Sequence, residues 1–84
     1  SVCNSLISDG CDISGTVKDS IIFRGVNVGK HCKIQNCIIM QDTQIMDGAE
    51  LSNVIIDKDT VIRAFVRLQG TAEHPVVIGK GVIV

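Results

Sequence analysis

The chain has 84 residues and a formal net charge of −1, and it contains two Phe but no Trp or Tyr. This charge, with acidic and basic residues interspersed, excludes the strongly basic surface typical of proteins that bind nucleic acids or anionic membranes. No apolar run approaches the roughly 20 residues of a membrane-spanning helix, and no signal-peptide pattern opens the chain. The apolar residues are mainly Ile, Val and Leu, which suit β-strands.

Aliphatic residues recur along the chain in steps close to six, six and five, which is a period of 17. The series runs through Val2, Ile7, Ile13, Val17, Ile22, Val28, Ile34, Ile39, Ile45, Leu51, Ile56, Ile62 and Leu68. A small or β-branched residue stands two positions before each of these anchors after the first. Neither an α-helix, with a period of 3.6, nor a lone strand, with a period of 2, produces this spacing. The period therefore predicts a chain that winds into stacked coils of three short strands each.

The period also predicts the bounds of the coils. Coil one covers about 7–21 and is two residues short because of a tighter corner at Ser14-Gly15-Thr16, and 22–38, 39–55 and 56–72 follow. The register breaks in a predicted loop at 69–75, and a partial coil covers 76–84. Since one coil cannot bury its inward face alone, several must stack. We expect an all-β fold, a single-stranded parallel β-helix of about four to five coils that fills residues 1–84 as one domain.

Corner positions carry residues that suit sharp turns. Asn4, Asp19, Asn36 and Asn53 occupy one phase of the repeat. Asn and Asp tolerate left-handed backbone and bond to nearby main chain. We expect these four side chains to form a structural corner ladder.

One of the three outward faces is predicted to be apolar. Two faces show mostly polar residues before the inward anchors, whereas the third shows one aliphatic residue per coil. The candidate interface residues on that face are Leu6, Ile21, Phe23, Ile38, Met40 and Ile55. An exposed apolar strip of this size marks an interaction surface. Its partner is either another part of a longer chain or another subunit. Since the repeat has already begun at Ser1, we expect the chain to be part of a longer polypeptide.

Cysteine and histidine residues give little support for a catalytic or metal site. Three of the four cysteines, Cys11, Cys32 and Cys37, stand where the repeat places small inward residues, and their spacing does not match a zinc site. A reduced, cytosolic protein is the simpler inference. His31 and His74 are the only histidines, and no polar residue is spaced to orient either one as a base.

The repeat resembles the hexapeptide-repeat superfamily of left-handed parallel β-helices. Within it, the runs 19–29 and 36–41 (DSIIFRGVNVG and NCIIMQ) are similar to the C-terminal domain of bacterial glucose-1-phosphate adenylyltransferase, also called ADP-glucose pyrophosphorylase. The runs 54–59 and 75–81 (VIIDKD and PVVIGKG) resemble the GlgD-type subunits of that family. The resemblance covers essentially all 84 residues.

This resemblance implies an oligomerisation and regulatory domain in glycogen biosynthesis, located in the cytoplasm. In the family, an N-terminal nucleotidyltransferase domain makes ADP-glucose with ATP and magnesium, so no cofactor and no catalytic residue is implied for this segment. The implied partners are that N-terminal domain and the catalytic subunit of a hetero-oligomer. Basic residues are available to an anionic effector, although solvated surface charges are the simpler reading. They are Arg24, Lys58, Arg63 and Arg67. The alternative is a fragment of a hexapeptide-repeat acyltransferase that uses His31 or His74.

Overall fold

The structure is a computed structural model that describes all 84 residues. It contains 14 short β-strands and no helix. No helix is therefore present that could cross a membrane. The strands are β1 (Val2–Cys3), β2 (Leu6–Ile7), β3 (Asp12–Ile13), β4 (Thr16–Lys18), β5 (Ile21–Ile22), β6 (Asn27–Val28), β7 (Lys33–Gln35), β8 (Ile38–Ile39), β9 (Gln44–Ile45), β10 (Glu50–Ser52), β11 (Val54–Ile56), β12 (Val61–Ile62), β13 (Arg67–Gln69) and β14 (Val76–Ile78).

The strands form three parallel sheets, one on each side of a prism. Face A contains β1-β4-β7-β10-β13, face B contains β2-β5-β8-β11-β14, and face C contains β3-β6-β9-β12. Each strand pairs with the strand three places later in the chain, and face C is extended by a parallel bridge between Val61 and Ile83. The predicted all-β, parallel β-helix of between four and five turns is confirmed.

The inward residues of the repeat form one continuous core. Fourteen apolar residues are buried in it, among them Ile22, Ile39 and Ile56 on face B. Thr43 and Thr60 are also fully buried, and their hydroxyls donate to the carbonyl oxygen of Asp57 at 3.2 and 2.9 Å. No buried side-chain nitrogen or oxygen lacks a hydrogen-bond partner. Burial of these polar residues therefore costs little free energy, because each hydroxyl forms a hydrogen bond with a main-chain carbonyl oxygen in a corner.

The corner before face B is a ladder of left-handed residues. Asn4, Asp19, Asn36 and Asn53 have φ between 49° and 58°. The Asn4 amide donates to the Asp19 carboxylate at 2.6 Å, and the Asn36 amide donates to the Asn53 side chain at 3.1 Å. The Asn53 amide continues to the carbonyl oxygen of Gly70 at 3.2 Å. The side chains thus link neighbouring coils while the backbone of each turns the chain.

The other two corners use the same backbone conformation with different residues. Positive φ occurs at Asp42 and Asp59 in the corner after face B and at His31 and Phe65 in the corner after face C. Glycines take the remaining positions of these two columns, at Gly10, Gly25, Gly81 and Gly48. His31 is therefore a corner residue with a structural role.

The short first coil has a corner that only glycine fits. Ile13 pairs with Val28, and Thr16 pairs with Lys33. The corner therefore spans three residues from Ile13 to Thr16, whereas the same corner of the next coil spans five from Val28 to Lys33. A Cβ atom on Gly15 would lie 2.7 Å from the carbonyl oxygen of Cys32 and 2.9 Å from its Cβ. The tighter corner expected at Ser14-Gly15-Thr16 is thus present, and it depends on the absence of a side chain.

The loop before the last strand lengthens one coil by five residues. Val54 pairs with Val76, a separation of 22 instead of 17. The predicted loop at 69–75 begins one residue too early, because Gln69 belongs to β13 and pairs with Ser52. The backbone N–H of Gly70 donates to Ser52, and that of Val76 donates to Asn53, so both ends of the insertion are fixed on the preceding coil.

We expect Gly15→Ala to lower the free energy of unfolding by about 1–3 kcal/mol, because the new methyl group overlaps backbone atoms that cannot move without breaking the coil register. Urea denaturation measures the change. Gly79→Ala is the matched control, since a Cβ there has only Val82 at 4.0 Å and the backbone φ is not positive. Equal stability of the two variants would contradict the tight-corner explanation.

The cysteines are free thiols, two of them buried. Cys32 and Cys37 lie in the core, Cys11 is half-buried, and Cys3 is exposed. Cys11 is less buried than the repeat predicts because the first coil is covered from one side only. Burial raises the pKa of the Cys32 and Cys37 thiols above their ordinary value of 9.0 by removing water from the thiolate.

These raised pKa values predict a loss of stability at alkaline pH. Folded Cys32 and Cys37 keep their protons after the unfolded chain has begun to lose them, so the folded state binds more protons above about pH 9. Their contribution to the unfolding free energy is complete below that pH and is lost as the pH rises through the folded pKa. Urea denaturation from pH 7 to 10 should show a shallower decline in a Cys32→Ala/Cys37→Ala variant, whereas exposed Cys3→Ala should keep the parent slope.

Candidate interaction surface

Face B carries a continuous column of aliphatic side chains on its outer side. The strand register aligns Leu6, Ile21, Ile38, Ile55 and Val77. With strands about 4.8 Å apart, the four steps between them span roughly 19 Å. Leu6 is 71% exposed and Val77 is 68% exposed, while the three isoleucines between them are partly covered.

This column exists because each strand of face B contains adjacent apolar residues. In β5, Ile22 is buried and Ile21 faces outward, and β8 and β11 repeat the arrangement. Phe23 (39% exposed) and half-buried Met40 follow directly after β5 and β8 and widen the column. We call the five aligned residues together with these two the apolar stripe.

The two edges of face B differ in chemistry. The Asn and Asp ladder and the loop 70–75 form the first edge, where Thr71, Ala72 and Pro75 line a shallow groove with Ile38 and Ile55. This loop partly shelters the centre of the stripe and leaves both ends open. The second edge is the corner after face B, where acidic and basic residues are mixed. They are Asp9, Arg24, Asp42, Asp57, Lys58, Asp59 and Lys80.

Faces A and C satisfy their own polar groups. On face A, the guanidinium of largely exposed Arg67 donates to the carboxylate of half-buried Glu50 at 3.0 Å. On face C, the Asn27 amide donates to the Gln44 side-chain oxygen at 2.9 Å. An exposed ion pair contributes little to stability, and both faces are well solvated without a partner. Only face B presents aligned apolar side chains to water over its full height.

The structure does not bring the histidines together. His31 is exposed at the corner after face C, and exposed His74 lies in the loop before face B. The backbone N–H of His74 donates to the Thr71 hydroxyl at 3.0 Å, but neither imidazole takes part in a hydrogen bond. No group of three or more His, Cys, Asp or Glu side chains is arranged to hold a metal ion.

The four basic residues considered for an anionic effector are also dispersed. Arg24 and Lys58 share one corner column with Gln41 between them. Arg67 is paired with Glu50 on face A, and the Arg63 guanidinium donates to the carbonyl oxygen of Val84 at 3.0 Å. They do not converge on one pocket.

Two surface residues were not found by sequence reasoning. Val77 completes the apolar stripe, but the five-residue insertion hides it from a count of 17; a shift of 22 would have revealed it. Phe65 is 78% exposed and has a φ of 63°, and its ring lies where a Cβ on Gly48 would be. No local sequence signal places an aromatic residue in a left-handed corner, because Phe rarely adopts this conformation.

Comparison with known families agrees with this architecture. The model of the GlmU-like, C-terminal hexapeptide family matches residues 1–84. The chain belongs to this family. Its hexapeptide repeat therefore corresponds to the inward columns of faces A, B and C.

The chain is similar to a glycogen biosynthesis protein and to several glucose-1-phosphate adenylyltransferases. The glycogen biosynthesis protein GlgD of Bacillus subtilis (strain 168) is 48% identical over 82 residues, which is 98% of this chain and 24% of that protein. The glucose-1-phosphate adenylyltransferase of Desulfitobacterium hafniense (strain DSM 10664 / DCB-2) is 37% identical over 77% of this chain and 16% of its own length. That of Deinococcus radiodurans is 35% identical over 84% of this chain and 17% of its own length.

The chain thus spans less than a quarter of the length of these curated relatives. The resemblance to the C-terminal domain of glucose-1-phosphate adenylyltransferases, and to GlgD in particular, is confirmed. No solved structure matches the chain.

Proposed function

We propose that this chain is an assembly and regulatory domain of a GlgD-type glucose-1-phosphate adenylyltransferase subunit and that it performs no chemistry itself. The observation that carries this proposal is the apolar stripe, which reaches from Leu6 to Val77 over all five strands of face B. Exposing such an apolar strip to water is unfavourable in free energy, and packing it against another protein surface removes that cost. The name of the Bacillus subtilis relative, glycogen biosynthesis protein GlgD, supports a role in glycogen biosynthesis.

The proposed partners are the N-terminal nucleotidyltransferase domain of the same subunit and a catalytic subunit in a hetero-oligomer in the cytoplasm. The relatives are at least four times as long as this chain, which leaves room for such a domain. ATP and magnesium would act there. The residues of this chain do not fit either group, since its acidic side chains form no cluster of three and its basic side chains point from different sides.

The rigidity of the coil stack supports a regulatory role. Of the 48 backbone hydrogen bonds, most join one coil to the next, so a load on one coil is passed to its neighbours. A domain of this kind can hold subunits in a fixed orientation and respond as one body when an effector changes that orientation. The proposed regulation therefore acts through docking at face B.

We expect Ile38→Asp in the full-length subunit to weaken assembly more than about 30-fold, because an unpaired carboxylate buried at the interface costs at least ~2 kcal/mol. Analytical ultracentrifugation measures the assembly. Val61→Asp is the matched control: it makes the same kind of change at the equivalent outward position of face C.

Circular dichroism should show that both variants keep their β-structure, since neither residue contributes to the core. If the Ile38→Asp subunit assembles with the parent affinity, face B is not the docking surface and the proposal fails.

A further inference from the structure

A concave surface separate from face B lies where face C meets the corner that follows it. It is a groove of about 390 Å³, a volume within the range of small-molecule sites in proteins. Outward side chains of β3, β6 and β9 form one wall, and residues of the corner form the other. The first wall contains Asp12, Asn27 and Gln44, and the second contains Lys30, Asp47 and Ala64. We call this the face C groove.

The face C groove is long and open at one end. Its lining begins at Ser14 in the first coil and reaches Ala64 in the fourth, so it crosses three steps between coils, or roughly 14 Å. The first coil is two residues shorter at this corner, and the corner wall therefore begins only at Lys30 in the second coil. This shape suits a linear ligand better than a single compact one.

The polar groups of the groove are suited to hydroxyl groups. The Asn27 amide donates to Gln44 at 2.9 Å, which leaves the Asn27 side-chain oxygen as an acceptor and the Gln44 amide hydrogens as donors. Oδ1 of Asp47 accepts from the backbone N–H of Lys30 at 2.9 Å, so this carboxylate is held in place and its second oxygen remains an acceptor. Donors and acceptors therefore lie side by side. A hydroxyl group can bind both, because it donates and accepts.

The charges of the lining favour a neutral ligand. Asp12 and Asp47 contribute two negative charges and Lys30 contributes one positive charge, so the lining has a net charge of −1. A phosphorylated or carboxylated ligand meets an unfavourable net charge in such a groove. A ligand whose polar groups are hydroxyls does not.

An exposed aromatic ring stands at the rim of the groove. Phe65 follows the lining residue Ala64, and its ring lies over Gly48, which follows the lining residue Asp47. The ring is 78% exposed, and Phe65 has a φ of 63°, a conformation that Phe rarely adopts. Residues held in rare backbone conformations concentrate at functional sites. Together with exposed Met46 in the lining, the ring provides apolar surface beside the polar groups.

From these features we infer that the face C groove binds a neutral linear oligosaccharide. A sugar ring carries hydroxyl groups around its edge and C–H groups on its faces, so it needs polar side chains and apolar surface next to each other. The Asn27 and Gln44 side chains would bind the hydroxyls, and Phe65 would pack against a C–H face. The groove lies on face C and the apolar stripe on face B, so this site goes beyond the proposed assembly role and is tested independently of it.

Amide NMR titration with maltohexaose and with cellohexaose tests the site. These neutral hexasaccharides differ in the linkage between their sugar rings, and the one with the higher affinity identifies the preferred linkage. At least one of them should give saturable shifts of the Asn27 and Gln44 side-chain amide resonances. The side-chain amides of Gln35 and Gln69, which lie on face A, should not shift.

Substitution of Phe65 tests the role of its ring. Phe65→Ala should lower the affinity for the bound hexasaccharide at least about fivefold, because the aromatic contact is lost. Phe65→Tyr keeps the ring and should keep the affinity. Phe23→Ala is the matched control, since it removes the other phenylalanine, which lies beside face B. The backbone amide spectrum shows whether each variant remains folded.

Substitution of Gln44 tests the polar wall. Gln44→Ala should weaken binding several-fold, because it removes the free amide donors and the partner of Asn27. Gln35→Ala is the matched control, since it makes the same change at an exposed position of face A and should leave the affinity unchanged.

Three results would overturn the inference. The first is the absence of saturable shifts with both hexasaccharides. The second is equal weakening by Phe65→Ala and Phe23→Ala, which would show that the ring at the groove does not contact the sugar. The third is tighter binding of glucose 1-phosphate than of either hexasaccharide at the same resonances, which would show that the groove takes an anionic ligand. None of these results affects the Ile38→Asp assembly measurement, so the two proposals fail independently.

Discussion

Parallel backbone hydrogen bonds between coils are the constraint on which the structure depends. They hold strands of only two or three residues, which have no stability alone, in a fixed register of 17 residues. The chain departs from this length twice, by losing two residues at Gly15 and by gaining five in the loop 70–75. Both changes fall in corners, where no inward side chain is displaced. The register of the next coil is restored at once.

The left-handed corners make this register possible. Most corners of the chain contain a residue with positive φ, and Asn, Asp or Gly fill ten of the twelve such positions. The cost of this conformation is small for them and is offset where side chains bond along the ladder, as between Asn4 and Asp19. His31 and Phe65 adopt it as well. Their neighbours above and below fix the corner, so tertiary context overrides local preference.

Much of the fold could be predicted because the position of a residue in the 17-residue repeat determines its face and whether its side chain points inward or outward. The inward anchors, the three faces and the positions of the candidate stripe follow from counting in steps of 17, since a fixed register converts sequence spacing into contact. Counting failed beyond Leu68, where an insertion of unknown length hid Val77. It also could not show that the loop 70–75 turns back to lie beside Ile38 and Ile55, because a loop's path depends on contacts that no period encodes.

The contrast between the faces explains why exposed apolar surface is concentrated on one of them. On faces A and C, stacked polar side chains form hydrogen bonds from coil to coil, as between Asn27 and Gln44. Their remaining polar atoms are free to form hydrogen bonds with water. Aliphatic side chains on face B pack against their neighbours along the column, but their exposure to water is unfavourable because they form no hydrogen bonds. The same stacking that aligns polar groups into satisfied ladders therefore aligns Ile21, Ile38 and Ile55 into one continuous apolar surface. In a fold whose interior is set by the repeat, the composition of a single outward column is sufficient to create a continuous apolar surface.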